Sequence, residues 1–184
     1  MQNIQRISLF FRLLFQTAFI ILPLILVLFW WHAPKPLQFF DTGFWSFIQI
    51  SYTDGIAILH PLSPATKIVG FLLCLIPVGF TEYVCYCLIQ LFSRYEKAEI
   101  FTVLSVNYIK KTGMALLLSQ LANPIYEALQ TLNLTWGNGH GHRFITMSFG
   151  STNMGVILMA MMTILIAWIM AEGCRLREEQ QLTI

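Results

Sequence analysis

Apolar runs separated by short polar clusters organise the 184-residue chain. Residues 13–31 are apolar apart from Gln16 and Thr17, residues 68–92 are interrupted by Glu82, and residues 152–171 carry no charge. A hydrocarbon core is crossed by roughly 20 such residues in a helix. A fourth run, 113–134, is weaker because it holds Gln120, Asn123 and Glu127. Its polar residues fall at 119/120, 123, 127 and 130/131, which is one helical face. A spanning helix with one polar stripe turns that stripe toward its bundle. The pattern predicts an all-α integral membrane protein with four transmembrane helices, at about 9–31, 68–92, 113–134 and 152–171.

The segments between the runs complete the expected topology. Outer loops cover 32–67 and 135–151, an inner loop covers 93–112, and an inner tail covers 172–184. The first outer loop begins with the proline-rich APKPL, then alternates at Phe44, Ile48, Ile50 and Tyr52 before Asp54-Gly55, a two-residue hairpin signal. The aromatic residues between Phe39 and Phe47 suit a headgroup layer. In the second outer loop, LNLTW (132–136) and RFITMSF (143–149) read as short β runs flanking GNGHGH, whose glycines suit a turn. Both loops therefore predict a small extracytoplasmic β-hairpin cap. In the inner loop, Thr102 is a candidate N-cap for an amphipathic helix that runs into the third span. The tail reads as a helical extension of the fourth span.

Composition strengthens the membrane reading. Hydrophobic residues make up 57% of the chain and charged residues only 11%, against about 25% charged in a soluble domain. Orientation follows from the basic residues. Arg6, Arg12, Arg94, Lys97, Lys110, Lys111, Arg175 and Arg177 fall on the side of the termini, and Lys35, Lys67 and Arg143 on the other. This bias places both termini in the cytoplasm. The first segment reads as a retained signal anchor, since its apolar run is long and WWHAPKP offers no small-residue cleavage site. A net charge of +2 gives no basic patch for nucleic acid.

Candidate chemistry is sparse. Glu82 and Glu127 are the acids at membrane depth, about 15 and 21 Å from the inner ends of their spans at about 1.5 Å per residue. They could meet between the second and third helices. Hydrogen bonds from Asn123, Gln120, Tyr83 or Tyr86 would satisfy them as interhelical glue, and a proton or ion relay is the alternative. His140 and His142, with His60 or His32, could hold a metal on the outer side, although H-x-H fits a turn equally well. Ala160, Thr163, Ala167 and Ala171 form a small-residue stripe on the fourth span. Its scattered methionines read as packing filler rather than copper ligands. Cys85 and Cys87 lie about 200° apart on a helix and read as small apolar residues. The chain has no G-x-S-x-G, H-E-x-x-H or P-loop motif, so neither an enzyme nor a cofactor is expected.

Three stretches carry a resemblance: LSPATKIVGFLLCLIPVGF (62–80), LFSRYEKAEIFT (91–102) and the tail LREEQQLTI (176–184). The chain from about Leu62 to Ile184 resembles the bacterial membrane family called domain of unknown function 2975. Members have four spans, an inner loop of the form kGEIFT and an ending of the form L-x-E-E-x-x-L-T-I; Ala98 stands at the glycine of the first motif. The resemblance implies a topology and a bacterial inner membrane, with no reaction. Two function classes follow. One is a sensing or regulatory module that contacts lipid and a cytoplasmic protein partner, the latter through Glu99, Ile100, Phe101 and Thr102 of the inner loop and Leu176, Arg177, Glu178 and Glu179 of the tail. The other is a small transporter, or transporter accessory, using Glu82 and Glu127.

Overall fold

The computed structural model describes residues 2–32, 62–99, 101–138, 142–147 and 151–182. These residues form four long helices: α1 (Gln2–His32), α2 (Pro64–Glu96), α3 (Val103–Thr135) and α4 (Ser151–Leu182). Helices suit such sequences because, in lipid, each backbone N–H and C=O must be satisfied within its own segment. Pro23, Pro77 and Pro124 lie inside α1, α2 and α3, as membrane helices tolerate. α2 starts on Ser63, whose hydroxyl accepts the Thr66 N–H at 3.2 Å, and Pro64 takes the first helical position, where a missing N–H costs nothing. Stretches of α1 (Ile4–Trp31), α2 (Pro64–Glu96) and α4 (Asn153–Gln180) are long and apolar enough to cross a membrane. α3 matches them in length but carries the polar stripe. Across residues 113–134 its exposed positions, Met114, Leu118, Leu121, Ile125 and Leu129, are apolar, so the polarity of that stretch is turned inward.

The expected β cap is corrected. The described residues contain no strand. LNLT does not leave the helix: α3 continues through Thr135, with Leu134 as the next buried position one turn after Gln130, and Trp136 lies in the turn that follows. Residues 142–147 are irregular, and α3 side chains satisfy their backbone. The Thr135 hydroxyl accepts the Phe144 N–H at 3.3 Å, and the Thr131 hydroxyl accepts the Thr146 N–H at 3.2 Å. Asn138 donates to the His142 carbonyl at 3.2 Å. Threonine hydroxyls thus do what a partner strand was expected to do. The hairpin expected around Asp54-Gly55 lies outside the described residues.

The chain divides into two compact units. The first contains residues 1–20, 80–118 and 151–184. Phe92 of α2 stacks on Phe11 and Phe15 of α1, with ring centroids 5.3 and 5.8 Å apart, and Arg12 forms an ion pair with Glu96. α4 buries Ala160, Ala167 and Cys174, one residue every two turns. The backbone of α4 comes so close that a Cβ on Gly113 of α3 would lie 3.1 Å from the Ala160 carbonyl oxygen. Of the expected small stripe, Ala160 and Ala167 face inward, whereas Ala171 is exposed.

The second unit contains residues 21–79 and 119–150. Its core joins Leu26, Phe29 and Trp30 of α1, Cys74 and Val78 of α2, and Tyr126 and Leu134 of α3. The indole of Trp30 closes over Gly70: a Cβ there would fall 2.1 Å from its ring. Asn133 donates to the Thr66 carbonyl at 3.0 Å, tying α3 to the start of α2.

Candidate functional site

Two groups of residues stand apart from plain helix packing. The first is the connection from α2 to α3, in the first unit. The Glu99 N–H reaches the Arg94 carbonyl and the Ala98 N–H reaches the Tyr95 carbonyl, both at 3.0 Å. This pair of bonds closes a helix with a left-handed residue at its centre. That residue is Ala98, with φ of 62°, although the position favours glycine. The side chains of Arg94 and Glu99 also pair, with Arg94 Nη1 3.2 Å from Glu99 Oε2. The next helix then begins. The Thr102 hydroxyl accepts the Ser105 N–H at 3.2 Å, and the Ser105 hydroxyl donates to the Glu99 carbonyl at 2.9 Å. Ala98, Glu99 and Thr102 are therefore each occupied locally, as helix stop, ion-pair partner and helix start. Phe101 has no such part and is 60% exposed. Ile100 lies outside the described residues.

This connection shares a cleft with the end of α4. Glu99, Phe101 and Thr102 line it from one side, and Cys174, Arg177 and Glu178 from the other, around a volume of about 500 Å³. Leu176 is exposed and lies outside this lining, and Glu179 pairs with Arg175 at 3.1 Å along the helix. Of the two segments expected to cooperate at the inner surface, the structure brings five of the named residues to one cleft.

The second group is the polar stripe of α3, in the second unit. Gln120, Asn123, Glu127 and Gln130 are each at most 3% exposed. Their numbering follows a three-four alternation, and Leu134 continues it. Asn123 Nδ2 donates to Glu127 Oε1 at 3.2 Å. Gln120 donates to Ser119 at 3.3 Å, and Gln130 makes a long contact of 4.0 Å with the Cys74 sulfur. Cys74 lies 3.3 Å from the Tyr126 hydroxyl. The indole N–H of Trp30 lies by the same thiol without reaching hydrogen-bond geometry. Sequence spacing marks the stripe on α3. It gives no sign that Trp30, Cys74 and Tyr126 would join it, because those contacts bring together residues more than forty positions apart.

Glu82 and Glu127, expected as a pair, belong to different compact units. Both carboxyl oxygens of Glu82 are buried without a hydrogen-bond partner among the described residues. Tyr83 and Tyr86, considered as partners for it, are each a little under half exposed. His142 is exposed, while His60 and His140 lie outside the described residues. No group of three or more potential metal-ligating residues occurs among the described residues. The four cysteines are free and buried.

Long apolar helices, inward-facing polar groups and a capped connection define a multi-pass, all-helical membrane protein. Within that class, the chain belongs to the family described as protein of unknown function DUF2975, whose profile matches residues 51–184. No curated protein matches the chain, and no solved structure does. In this chain Ala98, Glu99 and Thr102 are, in order, the stop, tie and start of two helices.

Proposed function

We propose that this protein is a non-catalytic regulatory module of the bacterial inner membrane. Both termini face the cytoplasm, and the module binds a cytoplasmic protein partner through the cleft formed by the α2–α3 connection and the end of α4. One observation supports the reading above others. The connection consumes its polar groups in its own fold and leaves Phe101 exposed beside Arg177 and Glu178. An exposed aromatic ring rimmed by charges is the composition of an interface anchor. Ion pairs at a surface contribute only about 0–1 kcal/mol each, so fold stability is a weak reason for concentrating charge there.

The test is co-purification from membranes with wild-type protein, with Phe101→Ala, and with the chain shortened by residues 172–184. The reading expects one soluble partner to be retained by the wild type. It expects binding to weaken by about tenfold or more with Phe101→Ala, at an unchanged amount of protein in the membrane. Loss of the protein itself from the membrane would mean that Phe101 serves packing, and the docking role would fall. Reporter fusions after Ile184 and near Asn138 test the orientation, which expects the first to be cytoplasmic and the second periplasmic.

A further inference from the structure

Positive charge collects where α2 ends and α3 begins. Lys97, Lys110 and Lys111 are exposed there, and none forms an ion pair among the described residues. The acids nearby are spent: Glu96 pairs with Arg12, and Glu99 with Arg94. Arg94 gives that bond only Nη1, and its Nε meets no acceptor among the described residues. A guanidinium offers several N–H donors in a planar fork, so most of its capacity is unused.

Two of these cations converge on one ring. The Arg94 guanidinium carbon stands 5.8 Å from the centroid of the Tyr108 ring, and the Lys111 ammonium 5.7 Å from it. Helix direction explains the convergence. α2 and α3 run in opposite directions here, since Cys87 lies by Thr112 and Arg94 by Tyr108. Side chains slope toward the N-terminus of their own helix. Arg94 therefore slopes back along α2, while Tyr108 and Lys111, one turn apart on α3, slope toward the connection. The ring fixes where both cations stand but supplies no hydrogen-bond acceptor for their N–H groups. Beyond Lys111, the same face of α3 is apolar: Met114 and Leu118 follow it at helical spacing, and both are exposed. A lysine that ends such a row lifts its ammonium out of the acyl chains to headgroup level.

We propose that Arg94 and Lys111, positioned by Tyr108, bind the phosphate of an anionic phospholipid, with an acyl chain laid along Met114 and Leu118. Arginine matches phosphate oxygens with its planar fork, and lysine adds a point charge. A free anion would meet the charges alone, whereas a lipid also meets the apolar row. A zwitterionic headgroup brings a cation of its own to a site already positive, so the anionic headgroup is preferred. The proposal does not rest on the docking cleft, whose lining includes none of these residues.

The experiment uses the full chain purified in detergent. It is titrated with phosphatidylglycerol, with phosphatidylcholine of the same acyl chains, and with inorganic phosphate, while native mass spectrometry counts bound lipid. Phosphatidylglycerol should bind about tenfold more tightly than phosphatidylcholine, and inorganic phosphate should not displace it. Lys111→Gln should weaken phosphatidylglycerol about tenfold. Lys110→Gln removes the same charge from a position about 200° round the helix from Tyr108, and should weaken it less than about twofold. Equal affinity for the two lipids, or equal losses in the two lysine variants, would mean diffuse attraction without a built site and would overturn the proposal. Displacement by inorganic phosphate would make a free anion the ligand and would overturn it too. Should Lys111→Gln fail to accumulate, Tyr108→Leu replaces it, since it unseats both cations and keeps their charge. It should weaken phosphatidylglycerol about threefold or more, and an unchanged affinity would sink the site.

Discussion

The two compact units solve the same packing problem with different materials. In the first, α4 buries little beyond Ala160, Ala167 and Cys174, and Gly113 lets the helix backbones of α3 and α4 approach. Backbone proximity replaces side-chain bulk there, as is common where lipid removes the hydrophobic drive between helices. In the second, bulky residues meet: Trp30 covers Gly70, Tyr126 reaches Cys74, and polar side chains fill the face of α3. A seam of small residues has little chemistry and tolerates lipid on its other side. A polar face inside a membrane is costly unless its groups are satisfied.

Substitutions at matched positions should expose the difference. The largest effect is expected for Gly70→Ala, whose new methyl would enter the rigid indole of Trp30, at a loss of about 3 kcal/mol. Thermal unfolding in detergent measures it, and a midpoint unchanged from wild type would mean that Trp30 is free to move. Gly113→Ala should lose less, about 1–2 kcal/mol, because its closest obstacle, Ile164 Cγ1, stands 2.7 Å away against 2.1 Å for the indole, with backbone atoms beyond 3 Å. Should Gly113→Ala prove the worse of the two, the small-residue seam is the tighter unit and the comparison is reversed. Asn123→Leu removes the donor to Glu127 and should lose about 1 kcal/mol. In infrared spectra the Glu127 carboxyl band should shift as its hydrogen bond disappears; an unmoved band would mean that Asn123 is not its donor. The smallest effect has the opposite sign. Ala98→Gly relieves a left-handed alanine but loosens the unfolded chain, for a net gain of about 0.5 kcal/mol. A loss of stability on that change would show that the alanine methyl makes a contact of its own.

The sequence reveals those features that repeat at helical spacing. The apolar runs forecast all four helices, and the stripe at Gln120, Asn123 and Glu127 forecasts a buried face of α3. Thr102 as N-cap is legible because the capping bond spans only three residues. The β cap misleads for a physical reason. Thr131 and Thr135 have strand-favouring side chains, yet their hydroxyls bond to carbonyls one turn back, at Ala128 and Thr131, and so sit comfortably in a helix. The N–H groups of Phe144 and Thr146 are met by threonine hydroxyls rather than by a second strand. The contribution of Trp30 and Cys74 to the polar stripe was beyond local pattern, as was the seat of Gly70 beneath the indole. Neither has a period to detect, and both depend on how separate helices face each other.

The connection at Ala98 also bears on the order in which the protein assembles. Only residues 97–102 separate α2 from α3, and short loops close within about 10–100 ns. The bonds that fix the connection join residues three to six positions apart, so they need no contribution from α1 or α4. Low sequence separation makes such structure early and fast. The α2–α3 hairpin is therefore a self-contained starting point. When α4 leaves the ribosome, one wall of its eventual cleft is already built, and the last helix completes the surface.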